Sequence, residues 1–161
     1  MMKKHFLIFI AFLFWFNLTP SAQVVTLLSK GEGMFTYKEY KPFADRPVDV
    51  HYYVPSSGNI GQMPIVFVFE GADRGYRYLL EAWKEEAEKK NFMVFINHYD
   101  AKRFPLSDYQ ETGVFDKQTT AVRMPFLQTS ALVDKIFEFI KLQAGSERKG
   151  YNIYGHSAGG Q

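Results

Sequence analysis

The residues most able to do chemistry stand together at Gly155-His156-Ser157-Ala158-Gly159-Gly160-Gln161. Gly-x-Ser-x-Gly directly after a short apolar run, Tyr151 to Tyr154, is the pattern of a strand-to-helix elbow that presents a serine nucleophile. A serine hydroxyl is a weak nucleophile unless a base removes its proton, and it must stand clear of the backbone for a carbonyl to reach it. A sharp elbow provides that clearance by holding the serine in a strained conformation. Side chains two residues before and two after the serine would collide with the turn. Gly155 and Gly159 remove them, and Gly160 lets the following segment approach closely. The same turn aims the Ala158 N–H toward the position where an oxyanion would develop. His156 lies inside the motif with its side chain expected to point away from Ser157. It is read as structural, not as the base.

The chain ends at Gln161, and in this arrangement the acid and the histidine follow the serine. The expectation is therefore a front part of a larger domain, carrying the nucleophile without its base and inactive alone. The four histidines, His5, His51, His98 and His156, do not fit the required order. Asp73 and Asp100 follow strand ends and are read as loop or capping residues.

Lys3 and Lys4 precede an apolar run from Phe6 to Phe16, followed by Pro20 and the small pair Ser21-Ala22. This is the form of a signal peptide over residues 1–22, with secretion or periplasmic export as its consequence. The run is shorter than the ~20 residues of a membrane span, so none is expected after signal removal. Lys3 and Lys4 leave with the leader, which takes 19 basic and 17 acidic residues to 17 of each. That balance argues against a nucleic-acid or anionic-surface partner. With no cysteine there is no disulfide, thiol nucleophile or cysteine metal site. No metal or organic cofactor is expected. No pattern specifies an oligomeric state.

Residues 23–161 read as one partial domain, without repeats or long linkers. Val24 to Leu28 and Met34 to Tyr40 are short strand candidates. Val48, Val50, Tyr52 and Val54 alternate with polar positions, which predicts a half-buried strand. Ile65 to Phe69 and Phe92 to Ile96 are continuous apolar runs of strands buried on both faces. Tyr78, Leu79, Ala82, Trp83 and Ala87 mark one amphipathic helix, and Leu127 through Ile140 a second. Strand, helix, strand, helix, strand is the rhythm of a parallel sheet with crossovers, preceded by an antiparallel edge. The connection from Asn97 to Pro125 is long enough to be functional or to hide short helices. Its Phe104, Tyr109 and Phe115 are candidates for lining an entrance.

Taken together, four pieces resemble the secreted esterase and polyhydroxybutyrate-depolymerase-like group of the α/β-hydrolase superfamily. They are Tyr52-Tyr53-Val54-Pro55, Pro64 to Gly71, Phe92 to Asn97, and Tyr154 to Gln161, within residues 33–161. The resemblance implies a three-layer α/β-hydrolase fold, here its N-terminal part, and a serine hydrolase acting on small-molecule or polymeric esters. It also implies a second oxyanion donor at the Ala72 N–H. The departure is Glu70, where the group commonly has histidine. A carboxylate there opposes a developing negative charge unless it is paired, for example with Arg74 or Arg77. Two alternatives stay open: a peptidase of the same fold, and a non-catalytic exported relative.

Overall fold

The computed structural model describes residues 27–161 apart from Lys117. The leader expected over residues 1–22 lies outside the described residues. So does most of the Val24–Leu28 candidate, and Leu27 and Leu28 are not strand.

Five strands form one sheet: β1 (Gly31–Tyr37), β2 (Val48–Val54), β3 (Ile65–Phe69), β4 (Met93–His98) and β5 (Asn152–Gly155). Their spatial order is β1-β2-β4-β3-β5. β1 with β2, and β2 with β4, are antiparallel; β3 is parallel to both β4 and β5. The predicted antiparallel edge and parallel crossover core are both present. Helix α1 (Tyr76–Lys90) makes the β3–β4 crossover. The short α2 (Leu106–Gln110) and then α3 (Ser130–Ala144) lie between β4 and β5.

Strand alternation sorts the core onto two faces. Ile65 and Phe67 of β3 and Met93 and Phe95 of β4 join Val48, Val50, Tyr52 and Val54 of β2 beneath Leu132, Ile136 and Ile140 of α3. Val66, Val68, Val94 and Ile96 face the other way, against Leu79, Leu80 and Ala87 of α1. Helix, sheet and helix make three layers, the architecture expected of an α/β domain. Continuous apolar runs in β3 and β4 follow from burial on both faces, and the polar alternation of β2 from its place nearer the edge.

The long connection is built around a buried acid. The Asp108 carboxylate is only 8% exposed and accepts from Arg46 at 2.7 Å and Arg123 at 3.3 Å. Its backbone carbonyl accepts from the Thr129 hydroxyl. Without such partners a buried carboxylate would be strongly destabilising. Phe115 and Val122 form an antiparallel bridge within the same stretch.

Candidate active site

The C-terminal ends of β3 and β5 lie side by side, with Phe69 in register with Gly155. One residue beyond β5, the His156 N–H donates to the Phe69 carbonyl at 3.1 Å. The ladder then stops and the chain turns through a 3-10 turn over Ser157–Gly160. Ser157 has φ of +51°, a left-handed conformation that costs a non-glycine residue on the order of 1 kcal/mol. The Gly159 N–H closes the turn on the His156 carbonyl at 3.0 Å. Ser157 is exposed and Ala158 is buried.

The two flanking glycines are sterically required. A Cβ on Gly159 would strike the Glu70 carbonyl oxygen and come within 2.7 Å of the Phe69 Cβ. One on Gly155 would strike the Gly159 carbonyl and lie 2.5 Å from the Gly160 Cα. The elbow thus packs backbone to backbone on the end of β3.

Past β3, Gly71 to Arg74 make a turn closed by the Arg74 N–H on the Gly71 carbonyl at 3.1 Å. Ala72 is exposed in this turn. The His156 ring lies against it, 3.2 Å from where a Gly71 Cβ would stand. Ser157, Ala158, Gly155, His156 and Gly159 are therefore gathered beside the Ala72 turn.

Glu70 is fully buried, and its partner is neither Arg74 nor Arg77. Its carboxylate oxygens lie 2.9 and 3.2 Å from the His98 Nδ1. The physical reason is strand geometry. Val66, Val68 and, one residue past the end of β3, Glu70 share the α1 face, and Ile96 and His98 share the same face of β4, so the two side chains meet across the parallel pair. Arg74 instead lies 3.4 Å above the Tyr109 ring and donates to the Phe104 carbonyl at 3.3 Å. Arg77 donates to the Tyr76 hydroxyl at 3.2 Å.

Around His98 stand Tyr76, with ring centroids 5.0 Å apart, and His51 at 6.1 Å; His51 itself stacks on Tyr76 at 3.7 Å. The hydrogen bond to Glu70, outweighing burial, raises the His98 pKa above the ordinary histidine value. Burial, aided by the neighbouring His98, pushes His51 the other way. With its Nδ1 engaged by Glu70, His98 makes no hydrogen bond to Ser157 among the described residues. Among those residues no cluster of His, Cys, Asp or Glu is arranged to hold a metal.

A hollow of about 450 Å³ opens on the α3 side of the elbow, bounded by Phe69, Tyr99, Tyr109, Val133, Ile153 and Ala158. Gly155, Gly159 and Gly160 of the elbow border it as well. Of the three aromatic residues expected at an entrance, Tyr109 borders this hollow. Phe104 is fully buried against Tyr99 and Phe43, and Phe115 is exposed on its bridge to Val122. The Glu70–His98 pair and the part played by Tyr109 were not read from the sequence. Isoleucine and valine at 96 and 94 give the face of His98, but only the β3–β4 register gives its partner.

No protein-family model and no curated protein sequence matches the chain. Solved structures do. Poly(aspartic acid) hydrolase-1 from Sphingomonas sp. KT-1 is similar at 28% identity and a TM-score of 0.74, over 82% of this chain and 48% of that one. LpqC, a poly(3-hydroxybutyrate) depolymerase from Bordetella parapertussis, matches at 23% identity and 0.74, over 83% and 45%. An S-formylglutathione hydrolase from Agrobacterium tumefaciens matches at 18% and 0.59, over 83% and 52%. The chain spans about half the length of each of these structures. No helix among the described residues is long and apolar enough to cross a membrane. The five-stranded mixed sheet between two helical layers, together with these likenesses, is the α/β-hydrolase fold, here its N-terminal part.

Proposed function

We propose that this chain carries the nucleophile of an exported serine hydrolase acting on carboxylic esters, small or polymeric. The observation that bears most weight is Ser157 itself. A non-glycine residue is held at φ +51°, exposed, at the end of a parallel strand between two glycines that admit no side chain. Strain of this kind persists only where surrounding structure enforces it, and it clusters at active sites.

In the proposed reaction the Ser157 Oγ attacks the ester carbonyl carbon as its proton passes to a base histidine. The tetrahedral oxyanion is held by the N–H groups of Ala158 and Ala72. Its collapse breaks the bond to the alcohol, which leaves with that proton, and forms an acyl-enzyme. Water then attacks the acyl carbon as its proton passes to the same histidine; the bond from the acyl carbon to Oγ breaks, the carboxylic acid leaves, and Ser157 takes the proton back. The base and its acid are assigned to no residue of this chain. Glu70, bonded to His98, is turned onto the α1 face, which lessens its opposition to the oxyanion.

The test is hydrolysis of short-chain nitrophenyl esters by the full-length gene product. Turnover that disappears in Ser157→Ala is expected; a folded protein with no turnover, or with turnover that survives the substitution, refutes the proposal. A second reading, amide hydrolysis, is favoured by the likeness to a hydrolase of poly(aspartic acid). Faster turnover of aminoacyl amides than of the esters would select it.

A further inference from the structure

The peptide that links β3 to the Ala72 turn is held from both faces of the sheet. On the α3 face, the Tyr109 hydroxyl donates to the Glu70 backbone carbonyl at 2.6 Å, a buried bond. On the α1 face, the Glu70 side chain is tied to His98 of β4 at 2.9 Å. Gly159 of the elbow rests on the same carbonyl. The Tyr109 ring is itself fixed, with the Arg74 guanidinium 3.4 Å above it and Tyr99 at 5.5 Å. Arg74 closes the turn that presents Ala72 and has φ of +55°. One residue, Glu70, therefore joins the elbow, the two central strands and the long connection.

Resting on the reading of Ala72 as an oxyanion donor, we infer that Tyr109, Glu70 and His98 are positioning residues. They clamp the Glu70–Gly71 peptide so that the Ala72 N–H keeps its aim at the oxyanion. The inference explains why an acid is tolerated at position 70. Its carboxylate faces away from the reaction and anchors the loop to β4. The titratable and charged groups around the pair are His51 and Asp49 of β2, Tyr76 and Tyr78 of α1, Asp100 beyond β4, and Arg74 and Tyr109.

A donor displaced by about 1 Å loses much of its effect on the transition state but little of its effect on substrate binding. Tyr109→Phe removes one oxygen and leaves the ring beneath Arg74. In the full-length protein it is expected to lower kcat for a nitrophenyl ester about tenfold to hundredfold, with KM within about twofold. Tyr40→Phe removes a hydroxyl that donates to another backbone carbonyl, that of Phe126 at 2.9 Å, in an exposed bond, and should change neither. The amide of Arg74, bonded to the Gly71 carbonyl, gives a second reading that needs no turnover. Its hydrogen exchange should speed up in Tyr109→Phe and in Glu70→Ala, while the Met93 amide in the core keeps its protection. Glu70→Gln, which keeps an acceptor for His98, should restore most of what Glu70→Ala loses. Should Glu70→Ala fail to fold, Tyr109→Phe carries the test alone. Unchanged Arg74 exchange in Tyr109→Phe overturns the clamp, as does a loss of protection shared equally with Met93. If the unmutated protein turns over no ester, the functional reading fails, and the exchange comparison still decides the clamp.

Discussion

β4 and β5 are both parallel partners of β3, one on each side of it. β4 lies between two helical layers, and Met93, Val94, Phe95 and Ile96 are all fully buried. β5 pairs only with β3 among the described residues, and Ile153 and Tyr154 are 59% and 44% exposed. Yet the strained serine follows β5. The difference separates two ways of holding structure. The centre of the sheet is held by apolar burial. The elbow is held by a short backbone ladder and by glycines that let it lie on the end of β3. The elbow is thus positioned by the strand next door, while Tyr154 of β5 packs on Trp83 of α1 at 5.1 Å between ring centroids.

That contrast can be broken most forcefully at the centre. Phe95 packs on Phe67 at 6.0 Å and Tyr52 at 5.9 Å between ring centroids. Phe95→Ala should cost about 3–5 kcal/mol. Urea unfolding reads the loss, and a variant within about 0.5 kcal/mol of the parent would deny it. The next effect is at the contact between the two regions. Gly159→Ala drives a methyl into the Glu70 carbonyl and Phe69, and should cost about 1–3 kcal/mol. A variant as stable as the parent would mean that the elbow does not rest on β3.

The smallest effect is electrostatic and belongs to the β3–β4 side. Glu70 raises the His98 pKa, so protonated His98 favours the folded state. This contribution is complete below the unfolded histidine value, about 6.5, and is lost as pH rises through the raised folded value. The melting-temperature gap between the parent and His98→Gln should therefore be widest near about pH 6 and narrow toward about pH 9. A gap that widens with pH would contradict the pairing.

Much of the fold was legible in the chain. The expected runs for β2 and β3 coincide with the observed strands, because alternation and an unbroken apolar run are direct marks of half and full burial. β1 begins earlier than Met34, since pairing of Gly31 and Gly33 with Val54 and Tyr52 needs no apolar side chain. It also ends earlier, at Tyr37 rather than Tyr40, which instead stacks on Phe43. α3 starts at Ser130 rather than Leu127, which closes a separate 3-10 turn. Residues 99–129 were the least readable. Their order comes from Asp108 meeting Arg46, 62 residues away, a contact no local pattern announces. The same limit hid Glu70's partner. The resemblance flagged the carboxylate as a departure, but strand register, not spacing, brings His98 to it.

The most direct measurement on the central claim is covalent. The full-length protein is treated with a fluorophosphonate, digested, and searched by mass spectrometry for the modified peptide. The account predicts a single adduct on Ser157, absent in Ser157→Ala. A folded, ester-hydrolysing protein whose adduct sits on another residue would contradict it.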